Sequence, residues 1–123
     1  MPGNWDAVAH RLMRAIAPRF GIAGRVREWH THAPEFYYDA IASHAGRIDL
    51  WTTEYMHVLE GAEGIVEWYR GTGMRPFLEA LPNDAERGRF TAEYLEAVRS
   101  AYPIRSDGRV LFPFRRIFLV AYR

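Results

Sequence analysis

The chain has 123 residues, of which 49% are apolar, 15% aromatic and 25% charged, and its formal net charge is +1. That length suits one domain with a core of its own, and 16 basic residues (all arginine) scattered among 15 carboxylates exclude a polybasic nucleic-acid-binding block. The absence of cysteine excludes disulfides and thiolate metal sites, and no apolar run reaches membrane-spanning length. The first helix is predicted from Trp5 to Ala17, capped by Asn4 and stopped by Pro18, with Trp5, Val8, Leu12 and Ile16 on one stripe. Arg19 to Ala33 carries glycines and charges with no clean period and reads as a loop or lid-like insertion. Pro34 opens a second helix that ends near Ala45, before Gly46. Arg47 to Val58, rich in β-branched and aromatic residues, reads as a strand.

A helix from Gly61 to Arg70 is expected to break at Gly71-Thr72-Gly73 and to resume from Pro76 to Leu81. Asp84 is expected to cap a longer helix through Ala101, with Phe90, Tyr94, Ala97, Val98 and Ala101 inward and Pro103 as its stop. Asp107-Gly108 supplies a turn before the last strand, whose regular part is predicted from Arg115 to Tyr122 because Pro113 interrupts it. The N-terminus lacks the charged and apolar regions of a secretory leader, so the expectation is a cytoplasmic protein without membrane or nucleic-acid partners.

Chemistry concentrates in Trp68-Tyr69-Arg70-Gly71-Thr72-Gly73-Met74-Arg75-Pro76-Phe77-Leu78. Arg75 sits between a glycine break and a proline that opens a helix, where backbone N–H groups are expected to face outward. A planar guanidinium there suits a carboxylate, which points to an anionic small molecule; the same residues also read as ordinary helix punctuation. No metal is expected, because His30-Thr31-His32 is the only close histidine pair and no third ligand is spaced to complete it. There is no Gly-x-Ser-x-Gly elbow and no nucleophilic cysteine. Gly61-Ala62-Glu63-Gly64 and Gly71-Thr72-Gly73 precede helices without the preceding buried strand of a nucleotide-binding turn.

Ile65-Val66-Glu67-Trp68 followed by Gly71-Thr72-Gly73-Met74-Arg75-Pro76-Phe77-Leu78 resembles the signature of trans-aconitate methyltransferases, I-x-x-W then G-T-x-L-R-P-aromatic-L, with Met74 at the leucine position. The similarity extends through Met1-Pro2-Gly3-Asn4-Trp5, His10 to Arg14, Tyr37-Tyr38-Asp39, Asp49-Leu50-Trp51, Tyr55 and His57, Tyr102-Pro103, Asp107-Gly108 and Phe114 to Ala121. It covers nearly all of this chain but only the C-terminal half of a family member. The resemblance implies an α/β fold: the C-terminal, substrate-covering half (1–123, one domain) of a Rossmann-like class I methyltransferase. Its two antiparallel strands would be the sixth and seventh of the full sheet, accompanied by about five helices. The fifth strand is missing, so an unpaired edge on the last strand is expected, with either homodimerisation or assembly with an N-terminal half.

The implied function is part of a carboxylate O-methyltransferase that uses S-adenosyl-L-methionine and acts on trans-aconitate or a similar polycarboxylate. The cofactor-binding half is absent from this chain, and activity of the chain alone is doubtful. The alternative is a cofactor-free interaction or small-acid-binding module derived from such an enzyme. A carboxylate is already a nucleophile, so no catalytic base is implied, and the expected site residues are substrate-binding ones. Arg75 is expected as a carboxylate clamp or as the partner of Glu79, and Arg116 as a ligand or as a charge guarding a sheet edge. Thr72 is a hydroxyl donor or a helix terminator, and Trp68 a pocket wall or core residue. Tyr55 and His57 share one strand face; Asn4 and Trp5 follow the missing fifth strand and either touch ligand or cap and staple the first helix.

Overall fold

A computed structural model describes residues 1–123. Helix α1 spans Val8–Ile16, α2 Pro34–Ile41, α3 Ala62–Arg70, α4 Arg75–Glu79 and α5 Asp84–Ala101; strands β1 and β2 span Arg47–Leu59 and Val110–Tyr122. Single 3₁₀ turns follow α1 (Ala17–Phe20) and α2 (Ala42–His44). The fold is α/β, with two antiparallel strands and five α-helices, as the sequence implied.

The chain divides into two compact units. One comprises Asp6–Trp29 and Val58–Phe112 and holds most of the buried apolar residues. In it α5 packs against α1 and α3. Phe90, Tyr94 and Val98, four apart on α5, are fully buried, and Phe112 is ringed edge-on by Trp68, Tyr69 and Tyr102 at centroid distances of 5.6, 5.7 and 6.1 Å. Two tyrosines fix α1 by its backbone: Tyr94 Oη donates to the Ala9 carbonyl, and the Ala9 N–H donates to Tyr102 Oη, both at 3.1 Å. The other unit comprises Met1–Trp5, His30–His57 and Pro113–Arg123. Its buried residues are few (Asn4, Phe114 and Ile117), while Phe36, Trp51, Met56 and Tyr122 remain exposed. Neither α2 nor β1 contains a buried residue, so this unit shows the thin cover expected of a two-stranded sheet.

Several sequence expectations are corrected. Asn4 does not cap α1: the cap position is Ala7, and Trp5 lies before the helix. Ile16 is buried as predicted, but Ala9 and Met13 take the places expected of Val8 and Leu12, and Val8 is exposed. The cap of α5 is Asn83, not Asp84; its extended backbone lets Oδ1 accept from the Glu86 N–H at 2.9 Å. Ala101 ends that helix exposed.

Pro113 does not interrupt β2. The Arg115 N–H donates to Asn4 Oδ1 (2.8 Å) and the Ile117 N–H to the Met1 carbonyl (2.8 Å), so odd-numbered residues of β2 direct their backbone groups away from β1. Residue 113 shares that side, and a missing N–H there costs the β1–β2 ladder nothing.

Those same bonds correct the expectation of a fully unpaired edge. Met1 to Asn4 lies antiparallel to β2: Pro2 bridges Arg116, the Gly3 N–H donates to the Arg115 carbonyl (2.9 Å), and the α-ammonium of Met1 donates to the Ile117 carbonyl (2.7 Å). Asn4 completes the pairing, because its Nδ2 donates to the Arg115 carbonyl (3.0 Å) while its Oδ1 accepts from the Arg115 N–H. With Asn4 only 7% exposed, Asn4→Ala is expected to lower stability by about 1–2 kcal/mol, since it strands the Arg115 N–H, whereas the Arg115 carbonyl keeps the Gly3 N–H. Hydrogen exchange checks this directly: the Arg115 amide should lose protection, and unchanged protection would contradict the assignment.

Candidate functional site

The predicted site residues divide between the two units, five in one and three in the other. In the Met1–Trp5, His30–His57, Pro113–Arg123 unit, Tyr55 and His57 project from the same face of β1, their rings stacked at 6.1 Å. His57 meets the edge of Phe114 at 6.2 Å, and the Arg116 guanidinium lies 5.7 Å from the centre of the same ring. The structure thus brings Tyr55, His57 and Arg116 together around Phe114, with Arg116 exposed. The Trp5 ring lies 4.2 Å from His30, which is followed by His32 at 4.5 Å and Phe36 stacked at 3.9 Å. The carboxamide of Asn4 is engaged by the Arg115 backbone. An apolar cleft of about 420 Å³ in this unit, lined by Met1, Tyr37, Ala40, Ile41 and Ile117 to Leu119, contains none of the eight predicted residues.

In the Asp6–Trp29, Val58–Phe112 unit, Thr72 Oγ1 donates to the Trp68 carbonyl (3.2 Å), tying down the end of α3. Trp68 is half-exposed, with one edge against Phe112. Arg75 opens α4 with its side chain 70% exposed, and its Nε donates to Glu79 Oε1 at 2.7 Å. The outward N–H groups expected beside Arg75 are absent. The N–H groups of Met74, Arg75 and Phe77 donate to the carbonyls of Tyr69, Thr72 and Met74, and Pro76 has none to offer. The turn after α3 uses these donors internally, so any anion recognition at this point falls to the Arg75 side chain.

The sequence offered His10, with Arg11 and Arg14, either as groups facing an acidic substrate or as solvated helix charges, and it missed Glu28. Four residues apart on α1, His10 and Arg14 converge on the carboxylate of Glu28: Arg14 Nε donates to Oε2 at 3.1 Å, and His10 Nδ1 lies 3.8 Å from Oε1. The sequence signal was the i, i+4 spacing of the two bases; nothing local marks Glu28 as their partner. Gly73 also gains a role beyond helix punctuation. A Cβ built there would stand 2.8 Å from His10 Cε1 and 3.1 Å from Tyr69 Cδ1, so only glycine lets the His10 ring lie where it does. Tyr69 meets His10 edge-on at 4.9 Å, and burial pushes its phenol pKa up.

Burial, then the neighbouring Arg14, holds His10 below its ordinary value of 6.5, with Glu28 opposing them. The folded state therefore favours the neutral imidazole. Its contribution to stability is complete above pH 6.5 and is lost as the pH falls through the depressed value. The urea midpoint is expected to drop between pH 7 and pH 5, and less steeply in His10→Asn; equal slopes would refute the assignment.

In the two glycine segments the space beside Gly64 and Gly73 is taken by neighbouring side chains, whereas that beside Gly71 is open. The open side of Gly64 faces the Leu59 side chain, 3.3 Å from a built Cβ, and that of Gly73 is filled by His10. No group of three or more His, Asp or Glu side chains is placed to hold a metal.

No protein-family model matches the chain. It is similar to curated proteins named trans-aconitate 2-methyltransferase. One from Azoarcus sp. (strain BH72) is 47% identical over 125 residues, covering 100% of this chain and 49% of that protein. One from Methylobacterium nodulans is 47% identical over 128 residues, and one from Rhizobium meliloti 45% over 130, with the same coverage on both sides. The chain spans about half the length of these relatives (49%).

Proposed function

We propose that this chain, which belongs by sequence to the trans-aconitate 2-methyltransferase family as its C-terminal half, is the acceptor-binding part of an S-adenosylmethionine-dependent carboxylate O-methyltransferase. The observation that carries the reading is similarity along 100% of the chain to three relatives of that name. The proposed acceptor is trans-aconitate or a similar polycarboxylate, and the proposed partner is a separate N-terminal half that holds the cofactor. When bound there, S-adenosylmethionine supplies the methyl group.

The acceptor oxygen is already nucleophilic, so the work left to this chain is orientation and charge balance. Arg75 suits a carboxylate clamp because its guanidinium is exposed and exchangeable, held only by an ion pair four residues along its own short helix. Arg116 is a second cation of the same kind, with Tyr55 and His57 beside it. Thr72 and Trp68 are proposed as further acceptor-binding residues in the unit that carries Arg75, and Asn4 and Trp5 as further ones in the unit that carries Arg116.

The test combines the chain with the N-terminal half of the Azoarcus relative, followed by a methyl-transfer assay on trans-aconitate. Turnover is expected from the mixture and from neither half alone. An assembled pair that binds the cofactor yet methylates no polycarboxylate would overturn the reading.

A further inference from the structure

We propose that His10 and Arg14 form a carboxylate-binding subsite that Glu28 fills as an internal stand-in, to be displaced by one carboxylate of a small polycarboxylic acid. The inference rests on the reading of this chain as the acid-binding half and adds a subsite to it.

The geometry separates a fixed receptor from a replaceable ligand. His10 and Arg14 belong to a regular helix anchored by Tyr94 and Tyr102, and the His10 ring is wedged between Gly73 and Tyr69. Glu28 comes from Arg25 to Ala33, which is neither helix nor strand, and the next residue, Trp29, is 95% exposed. The carboxylate nevertheless sits with its side chain only 14% exposed, a position an acid takes only beside compensating groups.

The fit of this internal acid is incomplete. Oε2 is bonded by Arg14, but Oε1 and His10 Nδ1 are both buried without a hydrogen bond, although only 3.8 Å apart. A carboxylate carried by the backbone at residue 28 meets one half of the receptor. A free acid can turn until one carboxylate oxygen accepts from Arg14 and the other from the Nδ1–H of a neutral His10 imidazole, each bond being charge-assisted by the ionised acceptor. An internal occupant lowers the apparent affinity for an external one by the fraction of time the receptor stands vacant. Removing the internal charge therefore raises affinity, the opposite of what deleting a binding residue does.

Calorimetric titration of the 123-residue chain with citrate and with trans-aconitate tests this. Glu28→Gln is expected to bind either acid about tenfold or more tightly than the parent chain. Adding Arg14→Gln to that variant should abolish the gain, and Glu28→Ala should reproduce it if the glutamine itself perturbs the loop. Saturating citrate should also increase hydrogen exchange in residues 25–29 of the parent chain. Equal or weaker binding by both Glu28 variants, no binding by any of them, or unaltered exchange would overturn the proposal. Methyl transfer by the two-half mixture is scored separately. Turnover without an affinity gain removes the subsite alone, whereas an affinity gain without turnover keeps the subsite and removes the enzymatic reading.

Discussion

Replacing Phe112 with alanine is expected to destabilise the chain by about 3–5 kcal/mol, a large share of the stability of an ordinary domain. Phe112 is fully buried and makes edge-on contacts with three rings, those of Trp68, Tyr69 and Tyr102. These come from α3 and from the end of α5, so the cavity would open where two helices meet a strand and could not be closed by moving one side chain. Aromatic pairs add to the burial term, which places this truncation at the upper end of the range. Urea denaturation followed by circular dichroism measures it. A loss below about 1 kcal/mol would mean that Phe112 does not anchor the core. Phe112→Leu, which keeps most of the volume, should recover more than half of the loss.

The second large effect concerns function. In the reconstituted two-half enzyme, Arg75→Ala is expected to raise the apparent KM for trans-aconitate by one to two orders of magnitude, with kcat changed far less. Hydrogen bonds to a charged group contribute about 1.5–3 kcal/mol, which corresponds to roughly 10- to 150-fold. An interaction made equally with the bound acceptor and with the transition state appears in KM rather than in kcat. Arg75 now bonds Glu79, both side chains being largely exposed, and that pair is too weak to hold the guanidinium against a bidentate ligand. Glu79→Gln should therefore lower KM slightly or leave it unchanged. An Arg75→Ala enzyme with the parental KM would remove the clamp and leave Arg75 as a surface charge.

What the sequence revealed depended on whether the deciding partner was near in the chain. The strand from Arg47, the helix ending at Arg70 and the long helix to Ala101 were legible because local periodicity and punctuation define them. Tyr55 and His57 share a face by the alternation of a strand, and Arg75 finds Glu79 by the pitch of a helix. Asn4 was misread because a capping residue and a strand-edge residue look alike locally, while its actual partner, Arg115, lies 111 positions away. Pro113 was misread for a related reason: whether a proline breaks a strand depends on which side the neighbouring strand lies, and only the pairing of Arg115 and Ile117 decides that. Glu28 was invisible because the segment carrying it has no period, so nothing announced that its carboxylate would turn back onto α1.

The pairing of Met1 to Asn4 with β2 also governs how this chain can be joined to another polypeptide. The α-ammonium of Met1 points along the Ile117 carbonyl, in line with an antiparallel run whose next positions are Phe118 to Tyr122. A fusion linker entering at this end therefore begins as backbone in a sheet rather than as a free tether. A glycine–serine spacer would leave the N–H and C=O groups of Leu119 and Ala121 facing water. Four or five β-branched residues in the same place would extend the sheet by one strand and orient whatever is attached. A tag joined after Arg123 likewise leaves from a paired strand end, because the Tyr122 carbonyl accepts from the Gly46 N–H at 2.8 Å.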